Sequence, residues 1–534
     1  MQRPVWTLFA TLTLALLAAA VCSRAGAASG LAPPDARTTT STSTSMSTST
    51  STSTTTPAAT RSAALVLQDH TTLRGAARAD APVLSTLWRG EMLEVRADLG
   101  DYLQIWDHQR ERGGYVRRGQ VHSLAQAQAN ELLALLAFVQ DQAGAETTSL
   151  ALAAAAIQAL SAAQLQGGAA ATVLEAIGNA ADRLAARASG PPPPRSADQA
   201  ALSAHLELAA RLGVRLDSVD SAGRVQLCYE GDAWRRLLAL PANSVSAASR
   251  ARAALALTRS DCQSPTSSVR EREAADSQRA RWLDSVRSEA LPPQLGKRIN
   301  TRRAAVWSSI AFVRARRGQA ANAQAAAERA LAELALVSKS ELVDEDLQRY
   351  NEAALRVNAV RWAAAPALSQ QDLTQTLGVS LQVTEDGQQC VLVTLLQRPD
   401  AAPLARRCTW GLPYLASARV SREGRAIALA VQSTEGWREL WLWRQEAGDG
   451  GWAVLPPTAG TPGLGYAEFA GWVPGGQHLL VAREAISENR HSRRFEVLRI
   501  DTLSVERTAF EPGTLGAFSR WQDPQWARDS LALR

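Results

Sequence analysis

The hydrophobic period changes twice along this chain, and that limits the folds open to it. Between residues 63 and 124 apolar residues alternate with small or polar ones. From 125 to about 370 they recur mostly at helical spacing, and from about Leu377 the alternation of two returns. Period two sends successive side chains to opposite faces of a strand, whereas a spacing of three to four collects them on one face of a helix. One regular architecture cannot satisfy both. The expected fold class is therefore multidomain α and β: a small β module, an α-helical region and an all-β domain. At 534 residues and 46% hydrophobic content the chain has room for three or four packed domains.

The first residues point to export. Arg3 precedes an apolar run from Val5 to Val21, and Ala25-Gly-Ala27 supplies the small-residue exit of a secretory signal peptide over residues 1–27, with cleavage after Ala27. Two alternatives stay open. The run is near the lower limit of about 17 residues for a spanning helix and could be retained as an anchor, and Cys22 offers a lipidation site, although Val21 before it is bulky. The expected location is periplasmic or secreted, with a membrane contact only if that segment is retained or Cys22 is lipidated. Residues 28–62 read as a disordered spacer. From 38 to 56 only Met46 interrupts Ser and Thr, too little apolar surface to offset the entropy of ordering.

In the β module over 63–124, Leu73-Arg-Gly75 opens a series of short strands and turns: Val83, Leu84 and Leu87 before Gly90-Glu91, then Leu93-Glu-Val95, the turn Leu99-Gly-Asp101, the strand Tyr102–Trp106, and a last turn at Gly113-Gly114 before Tyr115-Val116. This order, with an aromatic after Gly-Asp and Gly-Tyr-Val near the end, resembles a bacterial SH3 domain. The polar insertion from Asp107 to Arg112 departs from the pattern and lengthens a hairpin. The resemblance implies a small β-barrel that tethers an envelope protein to peptidoglycan or to a protein partner. Trp88, Tyr102, Trp106 and Tyr115 are its candidate ligand-contact residues, set against the alternative that each fills a small core.

Residues 125–189 form an Ala-rich helical segment. Leu132, Leu133, Leu135, Leu136 and Val139 make one apolar face, a second helix covers Leu150 to Leu165 and ends at Gly167-Gly168, and a third covers Val173 to Ala188. The Pro run over 190–195 marks a linker. Residues 196–370 continue as a helical domain with a helix from Gln199 to Leu212, a β-hairpin from Val214 to Tyr229, and helices from Asp232 onward. Trp307, Ile310, Ala311, Gly318, Ala323 and Ala330 resemble one tetratricopeptide helix pair, although Arg314 and Ala327 depart from that pattern and Asp344 to Ala364 shows no second copy. The resemblance implies a protein-docking scaffold.

The β domain over 371–534 contains an internal repeat. Val383–Val393, Val420–Ala430, Trp472–Ala482 and, loosely, Trp526–Arg534 each read as strand, Gly or Asp turn, strand. These resemble the hairpins of Tol-system-type β-propeller blades, and Leu440-Trp-Leu-Trp443 suits a strand packed on both faces. A closed ring generally needs at least four blades and only about three can be assembled, so a partial propeller, a stacked-sheet domain or closure by a partner subunit is expected. That count of about three has the final hairpin join the strands of Cys390 and Cys408 to complete one blade.

Four cysteines follow the signal segment and allow three pairings. Proximity favours Cys228 with Cys262 and Cys390 with Cys408. The second pair lies at equal distances from Pro399 in the turn Arg398–Ala401, so a hairpin there would set them face to face. Export permits both disulfides. The net charge of +6 is dispersed, without a basic run interleaved with aromatics, so no nucleic-acid partner is expected.

No nucleophile elbow, zinc-protease helix, phosphate loop or dinucleotide turn occurs, and the six histidines are scattered. His108 and His122 with Asp107 could converge near the insertion; the alternative is a solvated loop. No cofactor and no metal site is expected. The function read from the sequence is that of a non-enzymatic envelope binding or scaffold protein. The alternative is a cell-wall hydrolase or hydrolase accessory, although no hydrolase domain is expected after the repeats.

Overall fold

The first seven strands, β1 Ser62–Val66, β2 Thr71–Arg74, β3 Val83–Leu87, β4 Met92–Asp98, β5 Tyr102–Asp107, β6 Arg112–Arg117 and β7 Val121–Ser123, pair antiparallel in the order β3-β2-β6-β5-β4-β1-β7. The computed structural model describes residues 62–124, 127–221, 224–264, 266–365, 377–398, 400–445, 451–460, 463–487 and 490–529. All of these belong to a single unit, Thr60–Arg534. The signal segment, Cys22, the Ser/Thr run, Pro399 and the end of the last repeat lie outside the described residues.

Alternation fills the inner face of this sheet with Ala64, Val66, Leu73, Leu103, Ile105 and Val116. The sheet runs from an edge at β3 to an edge at β7. A closed barrel needs a ladder between its first and last strands, and none joins these two among the described residues. The expected barrel is corrected to an open antiparallel sheet. Gly113 and Gly114 are also corrected, from a turn to the interior of β6. A Cβ on Gly114 would stand 2.6 Å from the Leu73 side chain, and one on Gly113 would touch Trp106 at 3.4 Å. These glycines give way to side chains from neighbouring strands rather than turning the chain.

The middle region comprises α1 Ala129–Val139, α2 Glu146–Ala159, α3 Gly168–Ser189, α4 Ser196–Arg211, the hairpin β8 Leu216–Ser221 and β9 Arg224–Tyr229, then α5 Asp232–Ala239, α6 Ala247–Leu257, α7 Val269–Asp284, α8 Pro293–Arg316, α9 Ala320–Ala335 and α10 Asp344–Val360. The second helix begins and ends earlier than its apolar pattern suggests, and Gly167 precedes α3 instead of closing α2. Small residues allow close helix contacts. A Cβ on Gly178 of α3 would stand 2.3 Å from the Trp234 indole of α5, and Ala304, Ala311, Ala326, Ala327 and Ala330 are buried where α8, α9 and α10 meet. Ser268 and Glu271 form a reciprocal capping box at the start of α7. Across the Pro run, α4 returns onto α3, and Ala181 and Leu184 share a core with Ala209 and Val214.

The C-terminal region is β-rich. β10 Leu377–Val383, β11 Gln389–Leu395 and β12 Ala405–Thr409 form one sheet. β13 Leu412–Pro413, β14 Arg419–Val420, β15 Ala426–Thr434, β16 Trp437–Arg444, β17 Trp452–Leu455, β18 Leu464–Val473, β19 His478–Ser487, β20 Arg490–Arg499 and β21 Val505–Ala509 form a second. Within it, a short parallel contact of β16 with β18 joins two antiparallel halves. On β16, Trp441 and Trp443 pack with Leu377, Val391 and Val393 of the first sheet, while Leu440 and Leu442 pack with Leu479 and Val481 of the other half. Both faces of that strand are therefore covered. No closed ring is formed among the described residues.

The last repeat is corrected as well. Residues 516–529 form α11 Gly516–Trp521 and α12 Pro524–Asp529. Asp523 accepts the backbone N–H groups of Gln525 and Trp526, and Pro524 takes the first helical position, where its missing N–H costs nothing. Phe518 and Trp526 pack on Phe495, Leu480 and Val497, so helices cover that part of the sheet. The blade expected from the final hairpin with the Cys390 and Cys408 strands is not assembled: among the described residues that sheet comprises β10, β11 and β12.

Polar contacts bind the regions together. Arg438 of β16 donates to the Asn358 carbonyl of α10 and to Glu468 of β18, at 2.7 and 3.0 Å. Arg361 pairs with the same Glu468. At the other end, His205 of α4 binds Asp69 of the first sheet at 2.7 Å.

Candidate functional site

Register gathers three of the four expected contact aromatics. Tyr102 and Trp106 lie four residues apart on β5, and Tyr115 on β6 is opposite Gln104 between them; such positions share a face of a sheet. Burial divides them. Tyr102 keeps only 8% of its surface accessible, which makes it chiefly a packing residue, whereas Trp106 and Tyr115 are half-buried. Trp88 stands apart in the turn after β3, half-buried and edge-on to His70 at 4.8 Å.

Charged groups surround Trp106. The Arg96 guanidinium lies 4.4 Å from the indole centroid, a cation–π geometry. Glu94, opposite Trp106 across β4 and β5, meets His108 Nε2 at 2.5 Å. The inserted hairpin is held by Arg110, which donates to both carboxylate oxygens of Glu91, at 2.9 and 3.1 Å, and to Asp107 at 2.7 Å. Burial disfavours the charge on Arg110, but these two carboxylates outweigh it and raise its pKa above the ordinary arginine value. Asp107 also accepts the N–H groups of Gln109 and Arg110. It is committed to the turn, and His108 and His122 are both exposed. Residues 107, 108 and 122 do not make a joint site.

The structure links Cys228 with Cys262 and Cys390 with Cys408. Cys390 and Cys408 are directly opposed on β11 and β12. No helix among the described residues is long and apolar enough to cross a membrane. Among the described residues no group of three or more His, Cys, Asp or Glu is placed to hold a metal ion.

Two further constellations escaped the sequence reading. Tyr466 donates to Glu484 at 2.6 Å, and His491 meets the other oxygen of Glu484 at 2.7 Å. Burial and the neighbouring carboxylates Glu484 and Glu468 push the Tyr466 hydroxyl well above its ordinary pKa. For Glu484, burial favours the neutral acid, but the hydrogen bonds from His491 and Tyr466 prevail and lower its pKa. This contact braces β18 against β19 at directly opposed positions. The second constellation is Arg438 with Glu468 and Arg361. Its signal in the sequence is a lone charge inside an otherwise apolar strand, as at Glu468 between Ala467 and Phe469.

No family model, no curated protein and no solved structure matches this chain.

Proposed function

We propose that the protein is a non-enzymatic binding or scaffold protein of a bacterial cell envelope. Its first sheet acts as an SH3-like module that holds peptidoglycan or a protein partner through Trp106 and Tyr115. The observation that carries this reading is the pair of half-buried rings on one face of β5 and β6, with Arg96 beside them. Large, rigid aromatic rings and arginine are the side chains that most often anchor interfaces. In this reading the helical region and the stacked, partial-propeller-like sheets present further docking surfaces. Export to the periplasm or the medium is supported by the signal-like N-terminus and by the two disulfides, which persist in oxidising compartments.

The test is sedimentation of the full exported chain with purified peptidoglycan, paired with assay of muropeptide release and with cross-linking in periplasmic extract. Trp106→Ala together with Tyr115→Ala is expected to weaken retention by at least about tenfold, the loss of one good anchor. Retention, or a cross-linked partner, that is unaffected by the double substitution removes this face as the binding site. Muropeptide release that survives purification selects the hydrolase reading instead.

A further inference from the structure

A cleft of about 980 Å³ lies between α3, the connection from α6 to α7, α8 and α10, with Glu435 and Leu464 of the C-terminal region at its edge. Ten arginine and lysine side chains line it against six carboxylates. Nine of those cations have a carboxylate at ion-pair distance. Arg302 has none among the described residues. Its one hydrogen bond runs from Nη1 to the Thr258 carbonyl at the end of α6, and Arg279 donates to that same oxygen.

A carbonyl oxygen can accept one N–H from each guanidinium, but its partial charge neutralises neither. Arg279 also has Asp276 at 2.8 Å. Arg302, on the cleft wall, keeps its full charge and four unused N–H donors. Burial, followed by the like charges of Arg279 and Arg349, pushes its pKa down to about 9; Asp261 offsets a smaller part of this and Arg356 adds to it. It therefore stays protonated at neutral pH in surroundings that disfavour protonation. A half-buried cation with no carboxylate closer than the distant field of Asp261 costs stability, and a counter-ion from solution would relieve that cost. The nearby pairs leave room for one: Arg356 stands 3.9 Å from Glu352, and Arg349, paired with Glu345 at 2.6 Å, reaches the Asp346 partner of Arg298 only at 3.5 Å.

We propose that this cleft binds a small oligoanion, a phosphate- or carboxylate-bearing molecule with at least two negative charges, and that Arg302 is its principal anchor. Guanidinium forks match both kinds of oxyanion bidentately. The size of the cleft suits a multiply charged organic molecule better than a monatomic ion. Arg302 with the loosely paired Arg356 close by favours an occupant with more than one negative charge.

The experiment is calorimetric titration of the full chain at low ionic strength with inorganic phosphate, pyrophosphate, tripolyphosphate and citrate. One saturable site is expected, tightening with probe charge and weakening as salt rises. Arg302→Gln is expected to weaken the tightest probe about tenfold, the loss of a charged hydrogen bond, and Arg302→Lys less. Without probe, Arg302→Gln is expected to melt no lower than the wild type, because a repelled charge has been removed. Absence of a saturable site for all four probes overturns the proposal. So does binding that Arg302→Gln changes by less than about threefold. If Arg302→Gln does not fold, Arg356→Gln is read by the same threshold.

Discussion

Glu468 carries an unusual load for a single side chain. It receives Arg438 and Arg361, and its other oxygen accepts the indole N–H of Trp526. Arg438 is completely buried. Burial lowers its pKa more than the Glu468 carboxylate restores it. Replacing a whole buried ion pair by apolar groups can be neutral, but removing one partner leaves a bare charge and typically costs about 3–5 kcal/mol. Glu468→Gln is therefore expected to lower the urea midpoint sharply at unchanged slope, whereas Glu506→Gln at an exposed ion pair should shift it little. Equal midpoints for the two variants would remove Glu468 from the role of keystone. Arg302 shows the opposite condition, a cation with no carboxylate at ion-pair distance among the described residues.

Among the elements, β10, β11 and β12 depend on their disulfide. They form a three-stranded sheet whose first strand is exposed along its second half, and Cys390 with Cys408 ties β11 to β12 at opposed positions. Closing a loop with a sequence separation of 18 residues restricts the unfolded chain by roughly 3 kcal/mol. Cys390→Ser with Cys408→Ser should lower the melting temperature and selectively raise hydrogen exchange in residues 377–409. Exchange that rises equally over α8 and α9 would show that the bridge supports the whole unit rather than this sheet. The hairpins of this region are legible in the sequence, because glycines mark their turns, and Gly387, Gly424 and Gly475 hold positive φ there. The terminal helices are not, since a cap formed by Asp523 and Pro524 spans only two residues inside a stretch read at period two.

Over the whole molecule, the first sheet is clamped to the helices and does not stand apart from them. Leu65 packs with Leu132, Leu136 and Leu152, and a Cβ on Gly90 would stand 2.7 Å from the backbone of Thr147 in α2. A polar chain runs beside this contact from Asp69 through His205 and Arg187 to Glu146. Arg187 can only donate, so His205 Nδ1 accepts and the ring proton on Nε2 faces Asp69. Burial opposes ionisation of Asp69, but His205 and the Arg89 backbone N–H outweigh it and hold its pKa below the ordinary value. A depressed carboxylate pKa stabilises the fold above the unfolded pKa of about 4, and that contribution is lost as pH falls through the folded value. Asp69→Asn should therefore be less stable than the wild type at pH near 7, with the difference closing below about pH 4. Urea unfolding at the two pH values checks this. A gap that stays constant would mean that Asp69 acts through shape and not charge.

The sequence by itself determined where strands give way to helices and back, because hydrophobic period is written locally in residues two or three to four apart. It also favoured, among three possible pairings, the two that the disulfides adopt, and it assigned the aromatics of the first sheet. Tertiary structure alone decided that this sheet stays open, that Tyr102 is buried while Trp106 and Tyr115 reach its surface, and that the final repeat is helical. It alone brought Asp69 to His205, Glu468 to Arg361, and Arg302 into a cleft without a carboxylate partner among the described residues. The physical reason is range. Period and turn chemistry act between neighbours along the chain, whereas burial and the compensation of charge depend on residues that only the folded chain makes neighbours.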